Sequence, residues 1–289
     1  MKPAAFTYHR ASSVAGAVTL LGELAEDEPK ILAGGQSLVA MMSFRMARPG
    51  HLVDITHVPG LAGIRRDGDA LRIGTLTTHR AVEKADLGPE FEVLSDAMRF
   101  VGHLPIRTRG TVGGSIAHAD ATAEWCLLAV LLDAVIVAVG PAGRREIAAR
   151  EFFLGPFTTT LEPDEVIIEV VFPRPAPRAA LTEYADRRGD FAVVAAGVDL
   201  DTESVVLGGV GPVPELVRPA GTPDEIADAL DLRDEPGTPA TYIRGLTRTL
   251  VARARADAAG PHGIRAGRGG SHACGTTTTG AAREEVRYG

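Results

Sequence analysis

Apolar and polar positions alternate along the first part of the chain in a way that predicts short helices and strands. Apolar residues recur at helical spacing over residues 14–24, behind the serines of residues 12–13, which can cap a helix. A short apolar run predicts a strand at residues 30–33, helical spacing resumes over residues 38–46, and a second strand is expected at residues 51–55. Short elements in this order are typical of a small α/β unit.

The middle of the chain shows the same two periodicities. Residues 105–110 and the glycine-rich residues 111–115 follow neither period and are expected to be loops. The predicted elements are strands at residues 70–74, 134–139 and 165–172, and helices at residues 78–84, capped by Thr78, 91–101 and 124–132.

A proline-rich run at residues 173–177 reads as an extended linker, because proline fixes φ and removes a hydrogen-bond donor. Beyond it the pattern predicts a strand pair, a loop and two helices. The tail after residue 259 is rich in glycine and threonine and is expected to be disordered. The predicted elements are strands at residues 191–200 and 204–210, a loop at residues 214–223, and helices at residues 223–230 and 242–258.

Charge and cysteine content narrow the class of protein. Thirty basic and 37 acidic residues give a net charge of −7, which disfavours binding to nucleic acid. The two cysteines, Cys126 and Cys274, lack CxxC spacing, so no iron–sulfur or cysteine zinc site is expected in this chain. The N-terminus lacks the apolar core of a signal peptide, and no apolar run is long enough to cross a bilayer. We therefore expect a cytoplasmic protein without an integral membrane segment.

Two glycine-rich segments carry the strongest chemical signal. The first is LAGGQSL, and the second begins TVGGS. Adjacent glycines let backbone N–H groups converge around phosphate oxygens, and hydroxyls from Ser37, Thr111 and Ser115 add further donors. One such segment is more often merely a turn, but two suggest a pyrophosphate held from both sides. Neither fits GxGxxG or GxxxxGK[ST], so a Rossmann site and a P-loop are unsupported.

Five motifs in the order of this sequence resemble one known family. They are FTYHRASS, AGGQSL, LVDI, IRTRGTVGGSIAHADATAEW and RRGDFAV, spread over roughly residues 2–258. They resemble the FAD-binding medium subunit of the molybdenum hydroxylases, the group of carbon monoxide dehydrogenase, xanthine dehydrogenase and the bacterial N-heterocycle dehydrogenases.

The resemblance implies an α+β fold. It would be a vanillyl-alcohol-oxidase-type (PCMH-type) FAD-binding domain of two α/β subdomains, plus a small C-terminal antiparallel sheet-and-helix domain. The implied boundaries are residues 1–57 and 58–173 for the two subdomains and residues 178–258 for the C-terminal domain, with residues 259–289 as the tail.

The resemblance also implies a non-covalent FAD and a set of residues that bind it. Glu124 would hydrogen-bond ribityl or ribose hydroxyls, Leu161 would pack its backbone against the cofactor, and Phe191 would lie over the isoalloxazine face. The family often has a lysine before the Arg-Arg-Gly-Asp stretch; it is missing here, and Arg187 is a possible substitute. The implied cofactor-binding residues are Leu32, Ala33, Gly34, Gly35, Gln36, Ser37, Leu38, Thr111, Gly113, Gly114, Ser115, His118, Asp120, Glu124, Leu161 and Phe191.

The implied function is electron transfer within a complex. A large subunit would carry molybdopterin, a small subunit would carry [2Fe–2S] clusters, and the whole would be a dimer of heterotrimers. No residue of this chain is expected to act as a catalytic acid or base, although Phe191 and Asp190 could shape access to the flavin. His118, Asp120 and Glu124 are too few oxygen ligands for a metal site.

Two alternatives stay open. A stand-alone flavin oxidase of the same fold would need a substrate-binding domain, for which the residues after the proline-rich run are too few. A module that kept the fold but lost the cofactor would not need both glycine segments. His79 is a further open case, since it could lie near the flavin or simply belong to the first turn of a helix.

Overall fold

A computed structural model of the protein describes residues 2–234 and 237–260. The predicted disorder of the tail and the second cysteine, Cys274, lie outside the described residues. The strands are β1 (Thr7–Arg10), β2 (Lys30–Leu32), β3 (His51–Asp54), β4 (Ile64–Asp67), β5 (Ala70–Gly74), β6 (Val135–Gly140), β7 (Gly143–Ala148), β8 (Phe153–Gly155), β9 (Thr158–Thr159), β10 (Val166–Phe172), β11 (Ala179–Tyr184), β12 (Val194–Asp199), β13 (Ser204–Gly208) and β14 (Glu215–Val217).

The helices agree with most of the sequence prediction. Ser13 and Thr78 cap α1 and α3 as their positions suggested, each accepting a hydrogen bond from a backbone N–H. The helices are α1 (Val14–Glu23), α2 (Leu38–Ser43), α3 (His79–Lys84), α4 (Glu92–Ala97), α5 (Leu104–Arg107), α6 (Val112–His118), α7 (Glu124–Leu131), α8 (Ala149–Phe152), α9 (Pro223–Asp228) and α10 (Ala240–Ala259).

The first sheet is small and parallel, with strand order β1-β3-β2. Helix α1 supplies Ala17 and Leu21 to a core that also contains Val53 of β3. Val166 of β10 belongs to the same core, so the first sheet is packed against the second one. This packing places the end of β2 beside the larger sheet.

The second sheet is antiparallel, with strand order β4-β5-β10-β6-β7. Its central strand β10 is a run of valines and isoleucines, which suits a strand covered on both faces. Apart from Glu124 in its first turn, helix α7 is apolar on all sides, and every one of its residues is buried, as expected of a helix enclosed by other elements.

The third sheet is antiparallel in the order β11-β12-β13-β14. Its Ala195 and Val206 belong to the same core as α7, whereas Val194 and Val205 pack with α9 and α10. Thr182 of β11 donates a hydrogen bond to the Leu250 carbonyl of α10, at 3.0 Å. The sheet is therefore covered by helices on both faces.

Three predicted loops contain regular structure. Residues 105–110 include most of α5, whose first turn accommodates Pro105. Residues 111–115 are the capping residue and first turn of α6, and the loop at residues 214–223 contains β14, which pairs with β13. Among the described residues, no helix is long and apolar enough to cross a membrane. The boundaries between the three predicted domains stay predictions.

Candidate functional site

A cavity of about 540 Å³ lies where the first two sheets meet the C-terminal unit, which consists of the third sheet with helices α9 and α10. It brings together fourteen of the sixteen residues predicted to bind the cofactor. These are Ala33, Gly34, Gly35, Gln36, Ser37, Leu38, Thr111, Gly113, Gly114, Ser115, His118, Glu124, Leu161 and Phe191.

The other two predicted residues lie beside the cavity rather than on its wall. Leu32 ends β2, and its side chain lies next to Gly35. The Asp120 carboxylate accepts hydrogen bonds from the backbone N–H of Thr122 at 2.8 Å and from its hydroxyl at 2.7 Å. Asp120 therefore shapes the turn that leads into α7.

The first glycine segment forms an open row of hydrogen-bond donors. It follows β2 and leads into α2, with Gly35 at φ +72°, a conformation that glycine adopts without strain. Within the described chain, none of the backbone N–H groups of residues 34–38 donates a hydrogen bond, although all five residues line the cavity. Successive unpaired N–H groups of this kind make an anion-binding concavity.

The chain just before the second glycine segment touches the first segment at Gly34. A Cβ built on Gly34 would collide with the Arg109 carbonyl oxygen and would lie 2.9 Å from Cα of Gly110. Only glycine fits such a close approach of two backbones. Residues far apart in the sequence are thereby joined at one point of the cavity wall.

The second glycine segment differs from the predicted cradle, because its backbone N–H groups are occupied. Val112 and Gly113 donate to the carbonyls of Thr77 and Thr75, at 3.0 and 2.9 Å. Gly114 donates to the Thr111 hydroxyl at 3.1 Å, as in a helix N-cap. What this segment offers to a ligand is therefore the hydroxyl groups of Thr111 and Ser115 and the open face of Gly114.

Gly113 and Gly114 have different surroundings. A Cβ on Gly113 would overlap the Thr75 hydroxyl and would lie 3.0 Å from Cα of Thr75. A Cβ on Gly114 would meet the Thr111 hydroxyl at 2.8 Å, with Ala33 of the first segment 4.0 Å away. Gly113 thus permits packing of α6 against the chain after β5, whereas Gly114 faces the gap between the two segments.

Glu124 on the cavity wall and the neighbouring Glu183 both have raised pKa values. Burial, together with the charge of Glu183, raises the pKa of Glu124 to about 8. Burial raises the pKa of Glu183 to about 7. Glu124 is therefore largely protonated at neutral pH, and its carboxyl group can both donate and accept a hydrogen bond.

His79 is a buried histidine on the cavity wall. Its ring nitrogen Nδ1 accepts a hydrogen bond of 2.9 Å from the indole N–H of Trp125. Burial, and to a lesser extent the charge of Arg107, lowers the pKa of His79 to about 4. The imidazole is therefore neutral at physiological pH.

The mouth of the cavity is formed by the turn before β12. Gly189, at φ +87°, packs against His103, and the next two residues, Asp190 and Phe191, line the cavity. The Phe191 side chain is 57% exposed. On the opposite side, the rings of His118 and Phe157 lie 5.0 Å apart between centroids.

Positive charge is scarce on the cavity wall. Lys30 is the only lysine or arginine among the described residues that line it, and Arg187, the suggested substitute for the missing lysine, does not. Any anion in the cavity must therefore be met chiefly by uncharged N–H and O–H donors.

Several lining residues were not predicted as site residues. Some of them, such as Ile106 and Gly189, lie in the motifs quoted above, and the others reach the cavity through the packing of separate elements. The clearest of them are Thr75, Gly102, Ile106, Glu162 and Gly189. The positive φ that Gly189 needs is the one local signal that could have indicated a special turn.

Comparison with known proteins identifies the family of the chain. Residues 4–175 match the family described as "FAD binding domain in molybdopterin dehydrogenase". The chain is 42% identical over 196 residues to the 6-hydroxypseudooxynicotine dehydrogenase complex subunit alpha of Paenarthrobacter nicotinovorans, covering 67% of this chain and 66% of that one. It is 38% identical over 201 residues to the carbon monoxide dehydrogenase medium chain of Hydrogenophaga pseudoflava, covering 68% of this chain and 70% of that one.

Solved structures extend the similarity to the C-terminal unit. A chain of carbon monoxide dehydrogenase from Hydrogenophaga pseudoflava superposes with a TM-score of 0.80 at 31% identity, covering 88% of this chain and 97% of that one. A chain of quinoline 2-oxidoreductase from Pseudomonas putida 86 gives 0.79 at 30% identity, covering 89% and 98%. The expected fold class and family resemblance are thereby confirmed: the chain belongs to the FAD-binding family of the molybdopterin dehydrogenases.

Proposed function

We propose that this chain binds one non-covalent FAD in the cavity and transfers electrons as the medium subunit of a heteromeric molybdenum hydroxylase. The observation that carries the proposal is the row of unpaired N–H groups of residues 34–38, which line the cavity where the chain leading into the second glycine segment touches the first. An uncharged row of donors suits a pyrophosphate in a cavity with little positive charge.

Different residues of the chain would bind different parts of the cofactor. The N–H groups of residues 34–38 and the hydroxyls of Ser37, Thr111 and Ser115 would hold the pyrophosphate. Protonated Glu124 would hydrogen-bond ribityl or ribose hydroxyls. FAD supplies the redox chemistry when it is bound, and the protein positions it and controls access to it.

The isoalloxazine end would lie toward the mouth of the cavity. Leu161 would contact it through its backbone, and Phe191 would cover one face. The remaining predicted residues would support these contacts, with His118 on the wall, and Leu32 and Asp120 behind the two segments. The cofactor would lie between residues 1–57 and 58–173, and residues 178–258 would contribute the mouth.

The rest of the electron path would lie in other subunits. The relatives are named as subunits or chains of dehydrogenases and of a hydroxylase, including a "medium chain" and a "medium subunit". Two cysteines cannot ligate [2Fe–2S] clusters, so a small subunit would hold them and a large subunit would hold molybdopterin. We propose a dimer of heterotrimers, located in the cytoplasm.

Purification of the tagged full-length chain from its native cells tests the proposal. We expect two further chains in fixed ratio, with molybdenum, iron and FAD in the same peak, and a mass that fits two copies of each chain. The flavin should be reduced when the substrate of the molybdenum subunit is added. A yellow protein that runs alone, lacks both metals and oxidises an alcohol directly would instead favour the stand-alone oxidase.

A further inference from the structure

The hydrogen bond between Trp125 and His79 fixes the tautomer of a buried imidazole. An indole N–H is only a donor, so His79 Nδ1 must be the acceptor in their 2.9 Å contact. Both side chains are buried, Trp125 completely. With Nδ1 unprotonated, a neutral His79 carries its single ring proton on Nε2.

His79 keeps this form over a wide pH range. Burial lowers its pKa to about 4, and the nearby guanidinium of Arg107 acts in the same direction. The ring is also fixed in place, because its residue is the first of α3 and its backbone N–H donates to the Gly110 carbonyl at 3.0 Å. The protein thus holds one neutral N–H donor in a defined orientation.

The free edge of the ring faces Gly110, the residue just before the second glycine segment. A Cβ built on Gly110 would lie 2.8 Å from both Nε2 and Cδ2 of His79, so any other residue there would cover this edge. Nε2 has no hydrogen-bond partner among the described residues, and it is not sealed from solvent. A polar atom kept open to a cavity in this way is available to a ligand.

Gly110 also lies against the first glycine segment. Its Cα would be 2.9 Å from a Cβ on Gly34, so His79 Nε2 is next to the junction where the unpaired N–H groups begin. Within the described chain, Lys30 is the only lysine or arginine on the cavity wall. A neutral imidazole N–H is therefore one of the few additional donors near the proposed pyrophosphate position.

We propose that His79 is a cofactor-binding residue that donates its Nε2–H to a pyrophosphate oxygen of FAD, and that Trp125 is the positioning residue that fixes its tautomer. The inference rests on the proposed function, because it requires FAD in the cavity. It adds to that function a donor outside both glycine segments, and it explains why Gly110 is needed beside the ring.

Nuclear magnetic resonance of the full-length, FAD-free chain with 15N-labelled histidine tests this directly. The two ring nitrogens of His79 should show the Nε2–H tautomer at neutral pH. Saturation with ADP, which carries the pyrophosphate without the flavin, should shift the Nε2 resonance, and FAD should shift it equally. The exposed His57 serves as the internal control, and its resonances should not move.

Variants provide a second readout, the affinity for FAD. We expect His79→Leu to bind FAD about tenfold more weakly, in line with the loss of one hydrogen bond to a charged acceptor. His79→Gln places an amide N–H near the position of Nε2 and should stay within about threefold of the wild type. Trp125→Phe should fold, show both tautomers of His79, and fall between these two in affinity. The surface variant His57→Leu should bind as the wild type does.

The outcomes separate this inference from the proposed function. If the wild type binds FAD while Nε2 does not shift and His79→Leu binds equally well, the inference is wrong and the FAD site stands. A shift with FAD but none with ADP would also overturn it, because the contact would not be to the pyrophosphate. If the folded wild type binds no FAD, both proposals fail. The nuclear magnetic resonance titration of the wild type with ADP and FAD tests the inference even if His79→Leu does not fold.

Discussion

Gly34 lies so close to Arg109 that a Cβ on Gly34 would be 2.8 Å from the Arg109 carbonyl carbon. This contact joins the first glycine segment, which follows β2, to the residues that lead into the second segment and α6. The unpaired N–H groups that begin at Gly34 line the same cavity as the hydroxyl-bearing residues Thr111 and Ser115. The proposed cofactor site depends on this junction.

Substitution Gly34→Ala should therefore disrupt both the junction and the binding of FAD. The added methyl group meets backbone atoms of Arg109 and Gly110, which cannot move aside as a flexible side chain would. We expect FAD affinity to fall at least tenfold and the free energy of unfolding to fall by roughly 1–3 kcal/mol. Isothermal titration with FAD and urea unfolding measure the two effects.

Gly22→Ala is the matched control, because no atom lies within 4 Å of the position of its Cβ and it lies within α1. It should bind FAD as the wild type does and gain about 0.5–1 kcal/mol of stability. Equal behaviour of the two variants would contradict the role given to Gly34.

Substitutions at Gly113 and Gly114 should have separate effects, the first on stability and the second on FAD binding. We expect Gly113→Ala to lower the free energy of unfolding by roughly 1–3 kcal/mol, because its methyl group overlaps Thr75. Gly114→Leu should retain most of its stability but lose FAD, because its side chain enters the gap toward Ala33. Thermal unfolding and flavin absorbance after gel filtration distinguish them. Wild-type FAD occupancy in Gly114→Leu would mean that the pyrophosphate lies elsewhere.

The buried carboxyl of Glu124 should make the FAD-free chain less stable as the pH rises. Its pKa is raised from 4.5 to about 8, so the folded state keeps a proton that the unfolded state has already lost, and stability falls through this interval. Glu183, with a pKa of about 7, acts in the same direction. The lowered pKa of His79 makes stability rise with pH instead, but only below pH 6.5, the ordinary pKa of histidine.

We therefore expect Glu124→Gln to have a flatter stability profile than the wild type from pH 6.5 to about 8. Each pH unit over which the folded state alone is protonated is worth about 1.4 kcal/mol. Urea unfolding across this range measures the difference. The exposed Glu26→Gln should follow the wild type; parallel profiles for Glu124→Gln and wild type would show that Glu124 is not buried in its acidic form.

The C-terminal unit is attached in part by an ion pair with a fully buried carboxylate. Arg174, after β10, contacts the Asp199 carboxylate at 2.5 Å. We expect Arg174→Met to lower the free energy of unfolding by roughly 2–4 kcal/mol, because it leaves the buried Asp199 carboxylate without its cation. The expected loss is smaller than for a fully buried pair, because part of the Arg174 side chain is exposed. Arg178→Met removes an exposed pair of 3.4 Å and should cost under about 1 kcal/mol. Chemical unfolding of both variants provides the comparison, and equal losses would contradict it.

Local chemistry explains which elements could be predicted from the sequence. Serine and threonine are favoured at helix N-caps, because their hydroxyls accept a hydrogen bond from a nearby backbone N–H. Ser13 and Thr78 were predicted as caps on this ground, and both cap helices in the structure. The apolar residues at 30–33 and 51–55 likewise predict two strands, which are present as the partly exposed β2 and the largely buried β3. These features depend on neighbours in the sequence.

The elements that were predicted wrongly depend on partners that are distant in the sequence. Gly113 and Gly114 disfavour a helix, yet α6 begins at Val112 because Thr75 and Thr77 supply carbonyls for its first N–H groups. Likewise, β14 is a short edge strand between prolines that forms by pairing with β13. The predicted role of the second segment as a row of free N–H donors changed for the same reason.

The glycine segments could be identified from the sequence, but the contact between His79 and Trp125 could not. The two residues are 46 positions apart, and a histidine in the first turn of a helix carries no sign of its partner. Only the three-dimensional fold brings the indole N–H of Trp125, in α7, to one ring nitrogen of His79, the first residue of α3, and leaves the other nitrogen open to the cavity.

Titration of the FAD-free, full-length chain with FAD is the most direct test of the central claim. Wild type should bind one FAD per chain, and Gly34→Ala and Gly114→Leu should each bind it at least tenfold more weakly while Gly22→Ala is unaffected. A folded wild-type chain that binds no FAD, or variants that bind it as tightly as the wild type, would contradict the account.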